Sequence, residues 1–406
     1  MFDRLARFLD PLRPDEPGPP PVGGGGLAFV LTGGGARAAY QAGVLRGLSK
    51  ALPDLCPDIL TGVSAGALNG AFLAAFADRP LAEAAEMLVA VWRDLRAEHV
   101  YRLDRPTVPQ ALARFVRRPD VIAPPAEGGF LDTSPLKEFV EKHLGPVGSP
   151  MEAVDRAVCD GHLGAFAITT TSYTSGQSVT WVQDSPDIER RIAAWDRPMR
   201  RAVRTRLRAE HVLGSAALPF FFPAVSIDDP ELGQGWYGDG GIRLTAPLSP
   251  ALHLGADRVV VINTRYGQSR READAPKVDA YPPPTRVLGV LMNAVFLDVL
   301  DRDAQTLRRI NDLLAATPRE DWNGFRPIDL LVLRPSVDLG TLAAGFEPVL
   351  PPSMRLVMGG LSSGDGRSPD WLSMLLFDPE YVERLIAIGE QDAEAQVEAV
   401  AAFLDE

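Results

Sequence analysis

The sequence predicts an α/β fold, a mostly parallel sheet carrying helices on its faces. Three observations point there. The body opens as strand, glycine turn, helix, and repeats that pattern at once. Its strands read as continuous apolar runs, as in sheets buried on both faces. The 406 residues are 46% hydrophobic and 23% charged, enough apolar side chain for a sizeable core.

Residues 1–12 place Phe2, Leu5, Phe8, Leu9 and Leu12 at helical spacing. Residues 13–26 are rich in Pro and Gly and read as a linker. Leu27 to Leu31 form an apolar strand, Thr32 to Gly35 a tight turn, and Ala36 to Ala51 a helix with Val44, Leu45 and Leu48 on one face. Ile59 to Thr61 form a second short strand, Gly62 to Ser64 a second turn, and Ala65 to Ala77 a second helix. Residues 81–122 read as mostly helical. Residues 163–171 resemble a core strand with 178–183 as hairpin partner. Arg258 to Asn263 make the clearest buried strand of the second half. Residues 266–285 are polar and Pro-rich and are expected to form a mobile insertion or linker. A long amphipathic helix follows over 286–315, then a strand over 328–333 and a closing helix over 381–404. The expected units are thus 1–26, 27–265 and 266–406.

The formal net charge of -12 argues against nucleic acid as a partner, since phosphate neutralisation needs an excess of Lys and Arg. Two cysteines, Cys56 and Cys159, show no paired spacing, so neither a disulfide framework nor a zinc site is expected. Met1 to Leu12 carry Asp3, Arg4, Arg7 and Asp10 and do not read as a secretory signal. A cytoplasmic protein is expected, with contact at a membrane surface left open.

Three motifs carry chemistry. Gly62-Val63-Ser64-Ala65-Gly66 fits G-x-S-x-G between a strand and a helix, the setting that exposes a nucleophilic serine on a strained turn. Gly33-Gly34-Gly35-Ala36-Arg37 puts bare backbone N–H groups at a strand-to-helix turn, a nest for an anion or an oxyanion. It does not continue as a P-loop, because the Lys-Ser/Thr pair is missing, and it meets the dinucleotide fingerprint only loosely. Asp239-Gly240-Gly241 taken alone is a turn former. A serine nucleophile needs a base, and the five histidines, His99, His143, His162, His211 and His253, supply no convincing one. Only His253 follows Asp239, and its neighbours are apolar. That shortage points to a carboxylate acting on the serine directly.

In this order the three motifs resemble the patatin-like phospholipase family. Ala39-Tyr40-Gln41-Ala42-Gly43-Val44-Leu45 after the first motif is similar to the family, as is Ser215-Ala216-Ala217-Leu218-Pro219-Phe220 before the Asp motif. The likeness covers about residues 27–265. It implies a three-layer α/β/α fold and a Ser64–Asp239 dyad cleaving the acyl ester of a phospholipid or another lipid. Backbone N–H groups of Gly33, Gly34 and Gly35 would hold the oxyanion. Arg37 would steer a lipid phosphate or stabilise the loop. No cofactor and no metal are implied. The family turn often closes on glycine where this chain has Ala38, a harmless change if φ there is negative.

Eight arginines between 187 and 211 read either as a solvated face or as a patch for anionic headgroups. Pro219 to Pro223, with three phenylalanines, either lines an acyl channel or packs in the core. Two other functions stay open, a Ser-His-Asp esterase and a catalytically silent lipid-binding or regulatory protein. Substrate headgroup and oligomeric state are not readable.

Overall fold

In the computed structural model, the residues described are 26–102, 131–185, 195–219, 221–274, 290, 299–322, 324–346 and 373–405. One sheet runs in the order β5-β4-β3-β2-β1-β8-β9. Its strands are β1 (Gly26–Leu31), β2 (Ile59–Val63), β3 (Ala165–Ser172), β4 (Ser178–Asp184), β5 (Arg200–Arg204), β8 (Ala256–Ile262) and β9 (Asp329–Leu333). From β3 through β2, β1 and β8 to β9 every pairing is parallel. β4 returns antiparallel from β3, the hairpin expected from the sequence. Two further strands, β6 (Val225–Asp229) and β7 (Gly233–Asp239), form an antiparallel pair, and β7 also joins β3.

Strand side chains alternate between two helical layers, as period-2 geometry requires. Phe29, Leu31, Leu60, Val260 and Ile262 face one core, with α1 (Ala39–Ala51), α2 (Ala65–Ala75), α3 (Leu81–Asp94) and α8 (Pro379–Asp405). Ala28, Val30, Ile59, Val259 and Val261 face the other, with Leu248, Ala251 of α6 (Ser249–His253) and Leu300 and Leu307 of α7 (Val299–Ala315). Helix α4 (Ser134–Leu144) and helix α5 (Ala209–Ser215) close the first layer near the ends of β2 and β3. The architecture is the expected three-layer α/β/α sandwich.

The stretch beyond 265 is woven into this sandwich, contributing β9 to the sheet and α8 to the first layer. α8 crosses α1 closely enough that a methyl on Gly43 would meet the Ile386 carbonyl oxygen at 2.1 Å and one on Gly389 the Tyr40 carbonyl oxygen at 2.3 Å. The expected segment 1–25, residues 103–122 of the helical stretch and the 275–285 part of the Pro-rich segment lie outside the described residues. Among the described residues no helix is long and apolar enough to cross a membrane.

Candidate active site

Ser64 lies between β2 and α2, as the N-cap of the helix. It holds φ 56° and ψ −132°, and it is the one non-glycine residue at positive φ among those described. A β-carbon disfavours that region, so the surroundings must impose it. They do so by close packing. A methyl on Gly66 would sit 2.2 Å from the Leu31 carbonyl oxygen, so β1 and the start of α2 touch through bare backbone. The Ser64 N–H donates to Ser215 Oγ at 2.9 Å, and that hydroxyl donates in turn to the Thr169 carbonyl at 2.7 Å. Ser64 Oγ therefore starts from the positive end of α2.

Asp239 arrives by strand register. β2 pairs with β3 as far as Val63 opposite Thr169, and there β2 stops. On the next rung Thr170 pairs with Asp239, because β7 runs antiparallel along the same edge of β3. One strand thus carries the residue before Ser64 and Asp239 on successive rungs. The Asp239 backbone is fixed on both sides, N–H to the Ala217 carbonyl at 3.0 Å and carbonyl from the Thr171 hydroxyl at 2.8 Å.

The Asp239 side chain is fully buried. Its Oδ1 accepts the Gly241 N–H at 2.8 Å. Its Oδ2 is buried without a well-aligned donor among the described residues. Burial raises its pKa from 3.8 to about 7, against the opposing pull of the Ser64 hydroxyl and the Gly241 amide. The sequence alone suggests an ordinary, weakly basic carboxylate. Burial makes it a group poised near neutrality.

The glycine turn faces Ser64. A β-carbon on Gly33 would lie 2.9 Å from Ser64 Cβ. Gly35 adopts φ 57°, a region that favours glycine, and a methyl there would strike the Met374 carbonyl oxygen at 2.1 Å. Carbonyls hold the turn: Gly33 accepts from the Thr264 hydroxyl at 2.6 Å, Gly34 from the Arg37 N–H at 3.2 Å, and Thr32 from Gln41 Nε2 at 2.8 Å. Beneath it, Asn69 Nδ2 donates to the Ala38 carbonyl and Trp92 Nε1 donates to Asn69 Oδ1. Ala38 takes φ −68°, so its methyl causes no strain. Arg37 is buried, and its Nε donates to Ser373 Oγ at 2.5 Å. That placement favours the loop-stabilising role of the two left open for it.

Ser64, Gly34 and Gly35 open on an apolar cavity enclosing about 710 Å³ with its mouth included. Leu68, Trp92, Leu136, Val212, Phe222 and Phe377 are among its walls. Phe222 thus lines this cavity, Phe221 packs on the core, and Phe220 lies outside the described residues. Walls from residues 374–377 were not foreseen, and no local pattern there signals a site.

The histidines lie elsewhere. His253 stacks on Trp195 at 5.0 Å, and burial among arginines lowers its pKa to about 4. His211 packs on Trp181, accepts the Arg208 N–H at 2.9 Å, and is lowered by burial to about 3. None of the five lines either pocket that Ser64 touches. The arginine segment is largely neutralised. Arg201 pairs with Glu231, Arg204 with Asp184 and Arg206 with Asp155, while Arg200 reaches Ser249 and Thr245. Arg190 and Arg191 lie outside the described residues. Among the described residues no cluster of His, Cys, Asp and Glu could hold a metal ion.

Comparison with known proteins gives one family match. The family described as patatin-like phospholipase matches residues 29–252, just over half of the chain. No curated protein matches. Among solved structures, human GIVD cytosolic phospholipase A2 is 13% identical with a TM-score of 0.42, over 94% of this chain and 60% of that one. The same enzyme in complex with methyl gamma-linolenyl fluorophosphonate is 16% identical with a TM-score of 0.42, over 94% and 58%. VipD from Legionella pneumophila is 13% identical with a TM-score of 0.35, over 92% and 67%. The chain therefore spans about 60% of the length of the first of these.

Proposed function

Since this chain belongs to the patatin-like phospholipase family, we propose that it is a lipid acyl hydrolase with Ser64 as nucleophile and Asp239 as its base. The observation that carries the reading is the rung-by-rung pairing of β3 with β2 and then β7, which brings Asp239 to Ser64. Ser64 Oγ attacks the ester carbonyl while Asp239 takes its proton. The oxyanion that forms is held by the N–H groups of Gly34 and Gly35, joined by Gly33, near the positive end of α2. The alcohol leaves with the proton from Asp239. Water then cleaves the acyl-serine, with Asp239 again as base.

A carboxylate with pKa near 7 suits this work, because it is ionised for half its time at neutral pH and binds a proton well. The apolar cavity beside Ser64 supports a fatty acyl chain as the group carried by the serine. We assign phospholipids and lysophospholipids as substrates, met at a membrane surface by peripheral contact in the cytoplasm. The histidine positions disfavour a Ser-His-Asp esterase. Intact Ser64, Asp239 and glycine turn disfavour a silent binding protein.

The test is hydrolysis of a panel of phospholipids, lysophospholipids and short-chain esters by the full chain. Ser64→Ala and Asp239→Asn should each lower turnover by about 10³-fold or more, and a fluorophosphonate should label Ser64. A His253→Ala variant that loses activity while remaining folded would return the triad reading. An unaltered protein that neither hydrolyses any ester nor takes the label would return the silent one.

A further inference from the structure

A second pocket shares Ser64 with the apolar cavity. It encloses about 410 Å³ with its mouth included, and Thr32, Gly33, Ser64, Asp239, Asn263 and Leu300 are among its walls. Asn263 is the residue after β8 and is 2% exposed. Its Oδ1 accepts the Arg265 backbone N–H at 3.3 Å and the Thr32 hydroxyl at 3.2 Å. A backbone N–H can only donate, so these contacts fix which end of the amide is oxygen. Asn263 Nδ2 is left buried, with no acceptor among the described residues.

Asp239 Oδ2, in the same pocket, is the complementary case, a buried acceptor without a well-aligned donor. An unpaired buried polar group costs about 1–3 kcal/mol. Two residues that line this pocket with Ser64 thus each carry a buried polar atom without a well-aligned partner, one a donor and one an acceptor. Hydrocarbon would leave both unpaired, and an anion would be repelled by ionised Asp239. Water accepts from one and donates to the other, as buried water does between otherwise unsatisfied groups.

We propose that this pocket seats the water that hydrolyses acyl-Ser64, and that Asn263 is its positioning residue. The inference rests on the Ser64–Asp239 reading above. Once the alcohol has left with its proton, Asp239 is a free carboxylate. It takes one proton from the water as the water oxygen bonds to the acyl carbon. The bond from that carbon to Ser64 Oγ then breaks, Oγ recovers the proton from Asp239, and the fatty acid departs. The acyl chain and the attacking water thus reach the serine from separate chambers.

The experiment uses the full chain with p-nitrophenyl butyrate, measuring turnover and, by intact mass, the fraction of protein carrying the acyl group at steady state. Fluorophosphonate labelling of Ser64 reports the acylation machinery independently. Asn263→Ala removes the amide, and Asn263→Asp keeps the shape and the acceptor but loses the donor. Both should label within about threefold of the unaltered protein, turn over about 10–100-fold more slowly, and accumulate acyl-enzyme. Labelling and turnover falling together in both variants would make Asn263 part of the frame and overturn the proposal. Unchanged turnover and unchanged adduct would overturn it as well. Failure of the underlying reading looks different, since the unaltered protein itself would then show neither label nor adduct at Ser64.

Discussion

Asp239 owes its chemistry to burial. Water would stabilise its charge, and the fold keeps water away, leaving one amide and one hydroxyl to compensate. kcat/KM should therefore rise with pH through a single ionisation near 7, checked by a pH–rate profile on a non-ionising ester. The same shift acts on stability. The folded-state pKa lies above the unfolded 3.8, so the folded chain binds the extra proton between about pH 4 and 7. The stabilisation is complete below pH 4 and is lost as pH rises through 7. Asp239→Asn should accordingly raise the melting temperature by about 2–5 °C at pH 8, with the gain vanishing near pH 4. Equal gains at both pH values would refute the account. Ser215 supports the Ser64 backbone from behind. Ser215→Ala leaves the Ser64 N–H buried and unpaired, so urea unfolding should show a loss of about 1–3 kcal/mol, together with a fall in turnover. Ser215 lies in a stretch that resembles the family, yet nothing local says that its hydroxyl turns toward the elbow.

Helix α8 binds to α1 through glycines, and ion pairs frame the contact. Arg46 Nε donates to Glu390 at 2.5 Å, and Arg93 bonds both oxygens of Glu383 at 2.7 Å. Gly389→Ala would push a methyl against the Tyr40 carbonyl and should cost about 1–3 kcal/mol in urea unfolding. Strands β1, β2, β3, β4 and β8 are readable because each is a largely buried apolar or β-branched run, and β9, a half-buried edge strand, because Leu330 to Leu333 is unbroken aliphatic sequence. β7 is not. Gly233 to Asp239 alternates glycine with polar and aromatic residues and has no apolar run. Its pairing on β3 is what brings the carboxylate to the serine, so Asp239 was found from its glycines and its likeness to a family, not from a strand. β5 was hidden in the same way by its arginines, whose charges are taken up by Asp184 and Glu231 only after folding.

The cavity beside Ser64 gathers walls from α2, α3, α4, α5 and the stretch 374–377. No window of sequence contains it, which is why chain length and headgroup could not be read. Filling it should change selectivity more than chemistry. Leu218→Trp, at a half-buried wall position, should lower hydrolysis of long-chain esters about tenfold relative to butyrate. Parallel assays on p-nitrophenyl butyrate and palmitate would show it. Equal losses on both esters would mean that the acyl chain lies elsewhere.

The glycine turn leans on partners made very late. Gly35 packs bare against the Met374 carbonyl and Arg37 is tied to Ser373. A ribosome releases Ser64 early, followed much later by Asp239 and last of all by the segment that braces the cradle. During synthesis the growing polypeptide therefore carries Ser64 before it has the carboxylate and the brace that the proposed mechanism requires.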